Sequence, residues 1–489
     1  MQFPSQQSIS PAGRIGESVT PPSGGVRALP SLQEVESVHF IGIGGIGMSG
    51  IAKVLLQLGY EVSGSDLKQS SITEKLTALG GRIHVGHDAL HVNGADVVVC
   101  SSAVPEGNVE LQQARSNGIP VAHRSEMLAA IMDRQRGIAI AGTHGKSTTT
   151  SMIAFVLERA RLDPTVLVGG ELNDIGGNAK FGRGEFCVVE ADESDGSLLN
   201  LRPERAVVTN VELDHPDYFE TEEKLYETFR SFVSRIPATG ALVACYQCGN
   251  VAKVVDGSAV ECPVVTYGLG PNSDYSASHW QPTLTGVAFQ LQKRAGVTQE
   301  MELSVPGRHN VLNALGTIAM CESVGVDMGL IAEVLPQFRG INRRWQTILK
   351  TSDIWIVDDY AHHPSEVAAT LAAAKGFEPG RVIAVFQPHR YSRTKALCED
   401  FGRAFADADY VIINEIYGVH EDPIPGVTGE AVAAAIRRNT DGRPVEYIAD
   451  RNAICERLMS IAAPGDLILT MGAGDIYTVA KAVAERIGG

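Results

Sequence analysis

Twice in this 489-residue chain a short apolar run ends in clustered glycines and passes straight into a helical pattern. The first is "HFIGIGGIGMSGIA", from His39 to Ala52; the second is "GIAIAGTHGKSTTTSMIAFVLERA", from Gly137 to Ala160. A strand, a tight turn and a helix in that order aim backbone N–H groups at one point beside a helix N-terminus, a geometry suited to phosphate. The same order dictates a parallel α/β architecture, because a helix carries the chain back across the sheet before the next strand begins.

From Val38 onward the chain alternates β-branched runs with helical patterns in three blocks. The first holds strands at "VHFIGI", "EVSGSD", "RIHVG", "DVVVCSS" and "PVAH" and ends in the helix "SEMLAAIMDRQ". The second runs from "GIAIAGTHGKS" through "FCVVEADESDGS", "RAVVTNVELDH" and "GALVACY", turns hairpin-like over 272–306, and returns to helix at "NVLNALGTIAMCESVG". The third begins at "IWIVDDY" and continues through "RVIAVFQP", "YVIINEIY", "VEYIA" and "DLILTMGAG". The expected fold class is α/β in three domains. A Rossmann-like domain spans 34–135, a central P-loop-type ATPase domain 136–338, and a C-terminal Rossmann-like domain 339–489. Residues 1–33, rich in Ser, Pro, Gln and Gly, read as a disordered tail.

The length exceeds what one hydrophobic core supports, which agrees with several domains. A net charge of −16 is a poor footprint for nucleic acid or anionic lipid, so any anionic ligand must be met by local basic or N–H groups. No apolar run reaches the roughly 18–20 residues of a membrane helix, and the N-terminus lacks a signal-peptide pattern. Eight scattered cysteines, mostly inside apolar runs, suit reduced thiols in a cytoplasm. Cys245 and Cys248 form one C-x-x-C without a second pair in sequence reach, and read as incidental.

Gly42, Gly44 and Gly47 fit G-x-G-x-x-G, and Asp66 follows nineteen residues after Gly47, so a dinucleotide is one reading of that turn. The second turn is more specific. Gly142, Gly145, Lys146 and Ser147 form a G-x-x-G-K-S loop, with Ile140 where a longer P-loop has its first glycine. Lys146 offers an ammonium to terminal phosphates and Ser147 a hydroxyl to Mg²⁺. "CVVEADESD" offers the magnesium carboxylate, Glu190 first because it stands nearest the strand end; Asp192, Glu193 and Asp195 read as loop-solvating. His215, after Asp214, ends the next strand, where a metal or phosphate role competes with a structural one. Asn310 and Asn313 share a helix face, and Asn310 could equally cap that helix. His389, Arg390, Arg393 and Lys395 make the clearest local basic cluster, again after a strand end. "GAGD" at Gly472–Asp475 reads as a strand-to-helix turn.

Taken together, "GTHGKST", "EADESDGS", "VELDHPDYF", "GRHNVLNAL", "GINRRW", "DDYAHHPSE" and "FQPHRYSRT" resemble the Mur ligases of peptidoglycan synthesis, from about Val38 to the C-terminus. The resemblance implies an ATP- and Mg²⁺-dependent ligase acting on UDP-N-acetylmuramate and L-alanine. The lactoyl carboxylate would take the γ-phosphate, and the alanine amine would displace phosphate from the acyl phosphate. It implies a UDP-sugar site at Gly42, Gly44, Gly45, Ile46, Gly47, Asp66, Ser101 and Ser102. ATP would meet Gly142, Thr143, His144, Gly145, Lys146, Ser147, Thr148, Asn310 and Asn313, with Ser147, Glu190 and His215 as metal ligands. Catalytic roles fall to Lys146, Glu190, His215, Arg344 and Asp359, with Asp358 the neighbouring alternative to the last. Tyr360, His362, His389, Arg390 and Arg393 would surround the amino acid and the muramoyl carboxylate, and His363 would be structural. The third domain would close toward the second to bring Arg390 and Arg393 near phosphate. The chain would be cytoplasmic, a monomer or homodimer, and without nucleic-acid or membrane partners.

Three other readings compete. A ligase joining a murein tripeptide to the same sugar nucleotide belongs to the same family, but its glycine turn differs from "GIGGIGMSG". An NAD(P)-dependent oxidoreductase leaves the phosphate loop without purpose. A regulatory NTPase leaves the basic cluster unexplained.

Overall fold

The computed structural model describes residues 32–172, 177–216, 218–419, 421–440 and 442–488. The expected tail lies outside these except for Leu32 and Gln33. They open a short 3-10 turn, Leu32–Glu34, in which Leu32 is buried, so apolar packing begins two residues before the composition changes.

Three sheets follow one another. The first contains β1 (Ser37–Ile41), β2 (Glu61–Asp66), β3 (Arg82–Val85), β4 (Val97–Cys100) and β5 (Val121–His123). All are parallel, in the order β3-β2-β1-β4-β5. Chain order reverses at β1, and the first glycine turn leaves that strand's C-terminal end, where open α/β sheets bind ligands.

The second sheet has ten strands. They are β6 (Arg136–Ala141), β7 (Thr165–Leu172), β8 (Gly177–Lys180), β9 (Phe186–Glu190), β10 (Arg205–Val208), β11 (Ala241–Cys245), β12 (Val264–Gly268), β13 (Tyr275–Pro282), β14 (Val287–Lys293) and β15 (Thr298–Leu303). Their order is β15-β14-β13-β12-β11-β10-β6-β9-β7-β8. The centre is parallel, and β13–β15 form the antiparallel meander foreseen for 272–306. β6 stands between β10 and β9, so their C-terminal ends flank the phosphate loop.

The third sheet comprises β16 (Gln346–Lys350), β17 (Ile354–Asp359), β18 (Arg381–Phe386), β19 (Tyr410–Ile413), β20 (Val445–Tyr447) and β21 (Asp466–Met471). Its order is β16-β17-β21-β18-β19-β20, parallel except for β16 at the edge. Strands such as "RVIAVF" are buried almost throughout, as expected where helices cover both faces of a parallel sheet.

One apolar cluster continues from the first sheet through Met127, Leu128 and Ile131 of the helix Arg124–Met132 to Leu198 and Leu201 of the second unit. The first two units therefore share a core. Among the described residues no helix is long and apolar enough to cross a membrane.

Candidate active site

The second glycine turn joins β6 to the helix Lys146–Arg159. Gly142 has φ +138°, and a Cβ there would stand 2.0 Å from Thr209 Oγ1. Gly145 has φ +78°, and its Cβ would meet Asn313 Oδ1 at 2.6 Å. Only glycine fits both positions. The residues after β10 cradle the loop. Asn210 Oδ1 accepts from His144 N at 2.8 Å, Thr209 Oγ1 donates to His144 O at 2.6 Å, and Thr143 Oγ1 donates to Glu212 O at 3.0 Å. Thr148 is buried in the first helical turn.

The acidic segment after β9 divides between two neighbours. Glu190 Oε2 accepts from Ser147 Oγ at 2.8 Å, and Glu193 Oε2 lies 2.7 Å from Lys146 Nζ. Asp192 Oδ2 accepts from Arg124 Nη2 at 2.5 Å, and Asp195 Oδ2 from Ser102 Oγ at 2.6 Å. Two carboxylates thus serve the phosphate loop, and two reach the first unit. The expectation that Asp192, Glu193 and Asp195 merely solvate a loop is corrected: tertiary partners claim all three, and Glu193 is only 1% exposed.

Lys146 donates to the carbonyls of Gly142 and Thr143 at 2.6 and 3.0 Å. Burial opposes its charge, but Glu193, Glu190 and Asp192 outweigh that and raise its pKa. Beyond this ion pair neither Glu193 oxygen accepts a hydrogen bond among the described residues, and burial pushes the carboxyl up to about 7 despite Lys146. His215 has φ +55° and places Nε2 3.9 Å from Glu193 Oε1. Its pKa is lowered, by burial first, which favours the neutral, ligating imidazole. The Ser147–Glu190 pair offers the oxygen donors that a hard divalent cation takes, and the neutral His215, beside the Lys146-paired Glu193, offers a nitrogen.

Asn310 does not cap its helix. The helix Arg308–Ser323 begins after Gly307, and Asn310 stands inside its first turn, donating to Pro306 O at 2.6 Å. Asn313 donates to Asn310 Oδ1 at 3.1 Å, and its own Oδ1 lies against the phosphate loop. His309, which sequence reasoning passed over, keeps a buried Nδ1 without a partner and is held neutral, to about 4, by burial and then by Arg344.

Strand alternation separates Asp358 from Asp359. Asp358 accepts from Arg343 Nε at 3.1 Å and Thr470 Oγ1 at 2.7 Å. Asp359 accepts from the N–H groups of Trp345 and Ala361, both at 2.8 Å, and burial raises it to about 6 although Arg344 stands nearby. Tyr360 lies between the guanidinium groups of Arg343 and Arg344, 5.0 and 5.1 Å from its ring centre. The "GAGD" turn supplies the Gly472 and Gly474 carbonyls that hold Arg343.

Glu366 was also missed. It caps the helix Pro364–Lys375 by accepting from the N–H groups of His362 and His363, at 3.0 and 3.3 Å. Its other oxygen lies 3.4 Å from Arg344 Nη1 and 3.3 Å from His144 Nδ1, joining the third unit to the phosphate loop. The spacing His363-x-x-Glu366 is that of a capping box and was legible as one; its reach to His144 was not.

The basic cluster divides. His389 lies 5.8 Å from the His362 ring and stacks on Tyr417, and both histidines are held neutral, by burial first. Arg390 has φ +69° and stands at the start of the helix Tyr391–Ala404. Arg393 reaches both ways, with Nη1 3.3 Å from His389 Nδ1. It is 3% exposed and grips Asp214 with Nε and Nη2, at 2.9 and 3.1 Å. Arg393 thus makes an ion pair between units, because the carboxylate that suits its fork is within the protein, while it stays beside the His389 ring.

At the first turn, Gly42 (φ +79°) and Ile43 donate to Ser65 O at 2.8 and 3.0 Å. Asp66 Oδ2 accepts from Gly44 N at 2.9 Å, so this carboxylate fixes the turn itself. Gly45 precedes the helix Ile46–Leu58, and a Cβ on Gly47 would lie 3.5 Å from Arg124 Nη1. Arg124, not singled out from sequence, is therefore a cation at this turn. Ser101 follows β4 in a turn closed by Val104 N, and Ser102 meets His123 as well as Asp195.

Two strand–glycine turn–helix motifs joined by one acidic segment, with a third α/β unit against them, define a three-unit α/β enzyme architecture. Three family models match in series: the Mur ligase family catalytic domain over residues 37–136, the Mur ligase middle domain over 140–321, and the Mur ligase glutamate ligase domain over 343–474. The chain belongs to the Mur ligase family. It is 48% identical over 456 residues to the UDP-N-acetylmuramate–L-alanine ligase of Geotalea uraniireducens, covering 93% of this chain and 99% of that one. It is likewise 48% identical to the ligase of the same name from Pelotomaculum thermopropionicum, covering 92% and 97%. Among solved structures, the UDP-N-acetylmuramate–alanine ligase of Thermotoga maritima matches with a TM-score of 0.78 at 29% identity, covering 92% of this chain and 99% of that one. A murein peptide ligase from Psychrobacter arcticus shares the fold, with a TM-score of 0.68 at 24% identity over 93% and 99% of the two chains.

Proposed function

We propose that this chain joins L-alanine to the lactoyl carboxylate of UDP-N-acetylmuramate at the expense of ATP, in the cytoplasmic synthesis of peptidoglycan precursors. The observation that carries the reading is the segment Glu190–Asp195, whose carboxylates alternate between the phosphate loop and the sugar-nucleotide turn. A carboxylate is a poor acylating agent, and phosphorylation converts its oxygen into a good leaving group. That first step brings two anions together, so positive charge must stand between them.

Lys146 supplies one charge by leaving the Gly142 and Thr143 carbonyls for the γ-phosphate. Ser147, Glu190 and His215 would hold Mg²⁺, which when bound screens the phosphate oxygens. Asn310 and Asn313 would face the adenine and ribose. Arg344, oriented by Asp359 and Glu366, adds charge from the third unit. The sugar nucleotide's pyrophosphate would lie at Gly42–Gly47, beside Arg124, with Ser101 and Ser102 at its edge. Tyr360, His362, His389 and Arg390 would receive the amino acid. With His362 and His389 neutral, Arg390 is the cation suited to its carboxylate.

The test measures ADP and phosphate release in Mg²⁺ and ATP. Release is expected only when UDP-N-acetylmuramate and L-alanine are both present. Turnover with a murein tripeptide but not with alanine overturns the reading.

A further inference from the structure

We propose that His144, Glu212 and His363 form a site for one borderline divalent cation of the zinc type, set between the phosphate loop and the third unit. One donor atom from each lies within 4.8 Å of the other two. His144 Nε2 is 3.3 Å from Glu212 Oε2, and His363 Nδ1 is 3.9 Å from the same oxygen. The two imidazole rings are tilted by 42° with centres 4.7 Å apart.

The surroundings match an ion-binding imidazole. His144 Nε2 is buried without a hydrogen-bond partner, and Nδ1 faces Glu366 Oε1 at 3.3 Å. A metal-bound histidine gives its outer N–H to a carboxylate in this way, which fixes the tautomer and leaves the inner lone pair for the ion. Ser365 Oγ donates to Glu212 Oε2 at 2.7 Å and orients that carboxylate. The bond from Ser365 N to His363 Nδ1 is long, 3.3 Å, and easily exchanged for a metal bond. Burial, and then His144, keep His363 neutral as a ligand must be.

Two imidazoles and one carboxylate, with a fourth position open, are a zinc donor set. Two nitrogens to one carboxylate make this site softer than the Ser147–Glu190–His215 group, where two oxygens outnumber one nitrogen. The alternative occupant of the His144 lone pair is a proton: burial opposes it, but Glu212 and Glu366 raise the pKa to about 9. Because His144 and Glu212 belong to the second unit and His363 to the third, a bound ion ties the phosphate loop to its neighbour.

The experiment uses the full chain, stripped of metal and free of nucleotide and Mg²⁺, titrated with Zn²⁺ against a chromophoric chelator. One equivalent is expected to bind, and His363→Asn and Glu212→Gln are each expected to weaken it tenfold or more. Asn retains a side chain able to cap the helix. Substituting Co²⁺ in the wild-type chain gives a second readout that needs no variant: weak visible bands of nitrogen and oxygen ligation are expected. An intense thiolate charge-transfer band, retention of no zinc, or equal affinity in wild type and both variants overturns the site.

Discussion

Lys146 is held by three oxygens of its own protein, the Gly142 and Thr143 carbonyls and the Glu193 carboxylate. That poise explains how a buried ammonium persists, and in the proposed reaction these contacts are exchanged for phosphate. Lys146→Ala is expected to lower turnover by a factor on the order of 10²–10³ or more, the usual cost of losing a group that stabilises developing charge. Binding of the UDP-sugar is expected to survive, because its turn follows β1 in another unit; calorimetry on the folded variant checks this, and lost binding contradicts the split. The glycines of the loop were legible because their requirement is local: positive φ leaves few residue choices. The ion pair of Arg393 was hidden for the opposite reason. Its chemistry called for a carboxylate, and the carboxylate is Asp214, 179 residues earlier in the chain.

Elements were legible where hydrophobic period and turn chemistry agreed, as in β1, β9, β18 and the 272–306 meander. β7, β8, β12 and β16 were passed over. β8 ("GNAK") and β16 ("QTILK") are short or half-exposed and carry no strong period of their own. Only pairing with β7 and β17 makes them strands. The helix Val109–Ser116 shows how an element can be fixed by one polar group. Its Glu110 is fully buried and accepts from Ser65 Oγ at 2.5 Å, with His91 Nδ1 at 2.7 Å and His87 Nδ1 at 3.0 Å. Burial pushes this carboxyl up, but the nearby His39 imidazole and the bonds from Ser65, His91 and His87 prevail and bring it from 4.5 to about 2. A depressed carboxyl stabilises the fold above its unfolded value and loses that contribution as pH falls through the folded one. Glu110→Gln is therefore expected to cost about 1–3 kcal/mol near pH 7. The gap between variant and wild type should narrow as pH drops from 4.5 toward 2. Urea unfolding of both proteins across this range checks it; a gap that widens in acid contradicts it.

At the scale of the whole molecule, the Arg393–Asp214 pair and the His144–Glu366 contact hold the second and third units together around the phosphate loop. Removing one member of a buried pair strands the other charge, so Arg393→Met and Asp214→Asn are each expected to cost about 3–5 kcal/mol. The double variant should cost clearly less than the sum, and a double-mutant cycle by denaturant unfolding measures the difference. Strict additivity would mean that the pair does not bind the units. Asp214 precedes His215, so the same pair places the proposed metal ligand. By itself the sequence determined the alternating strands and helices, the two glycine turns and the types of residue beside them, because backbone geometry and hydrophobic period act over a few residues. Tertiary structure decided which carboxylate meets which cation. The partners of Glu193, Asp192, Arg393 and Glu366 come from distant segments, and the electrostatics of a buried charge depend on whatever the fold places within a few ångströms of it.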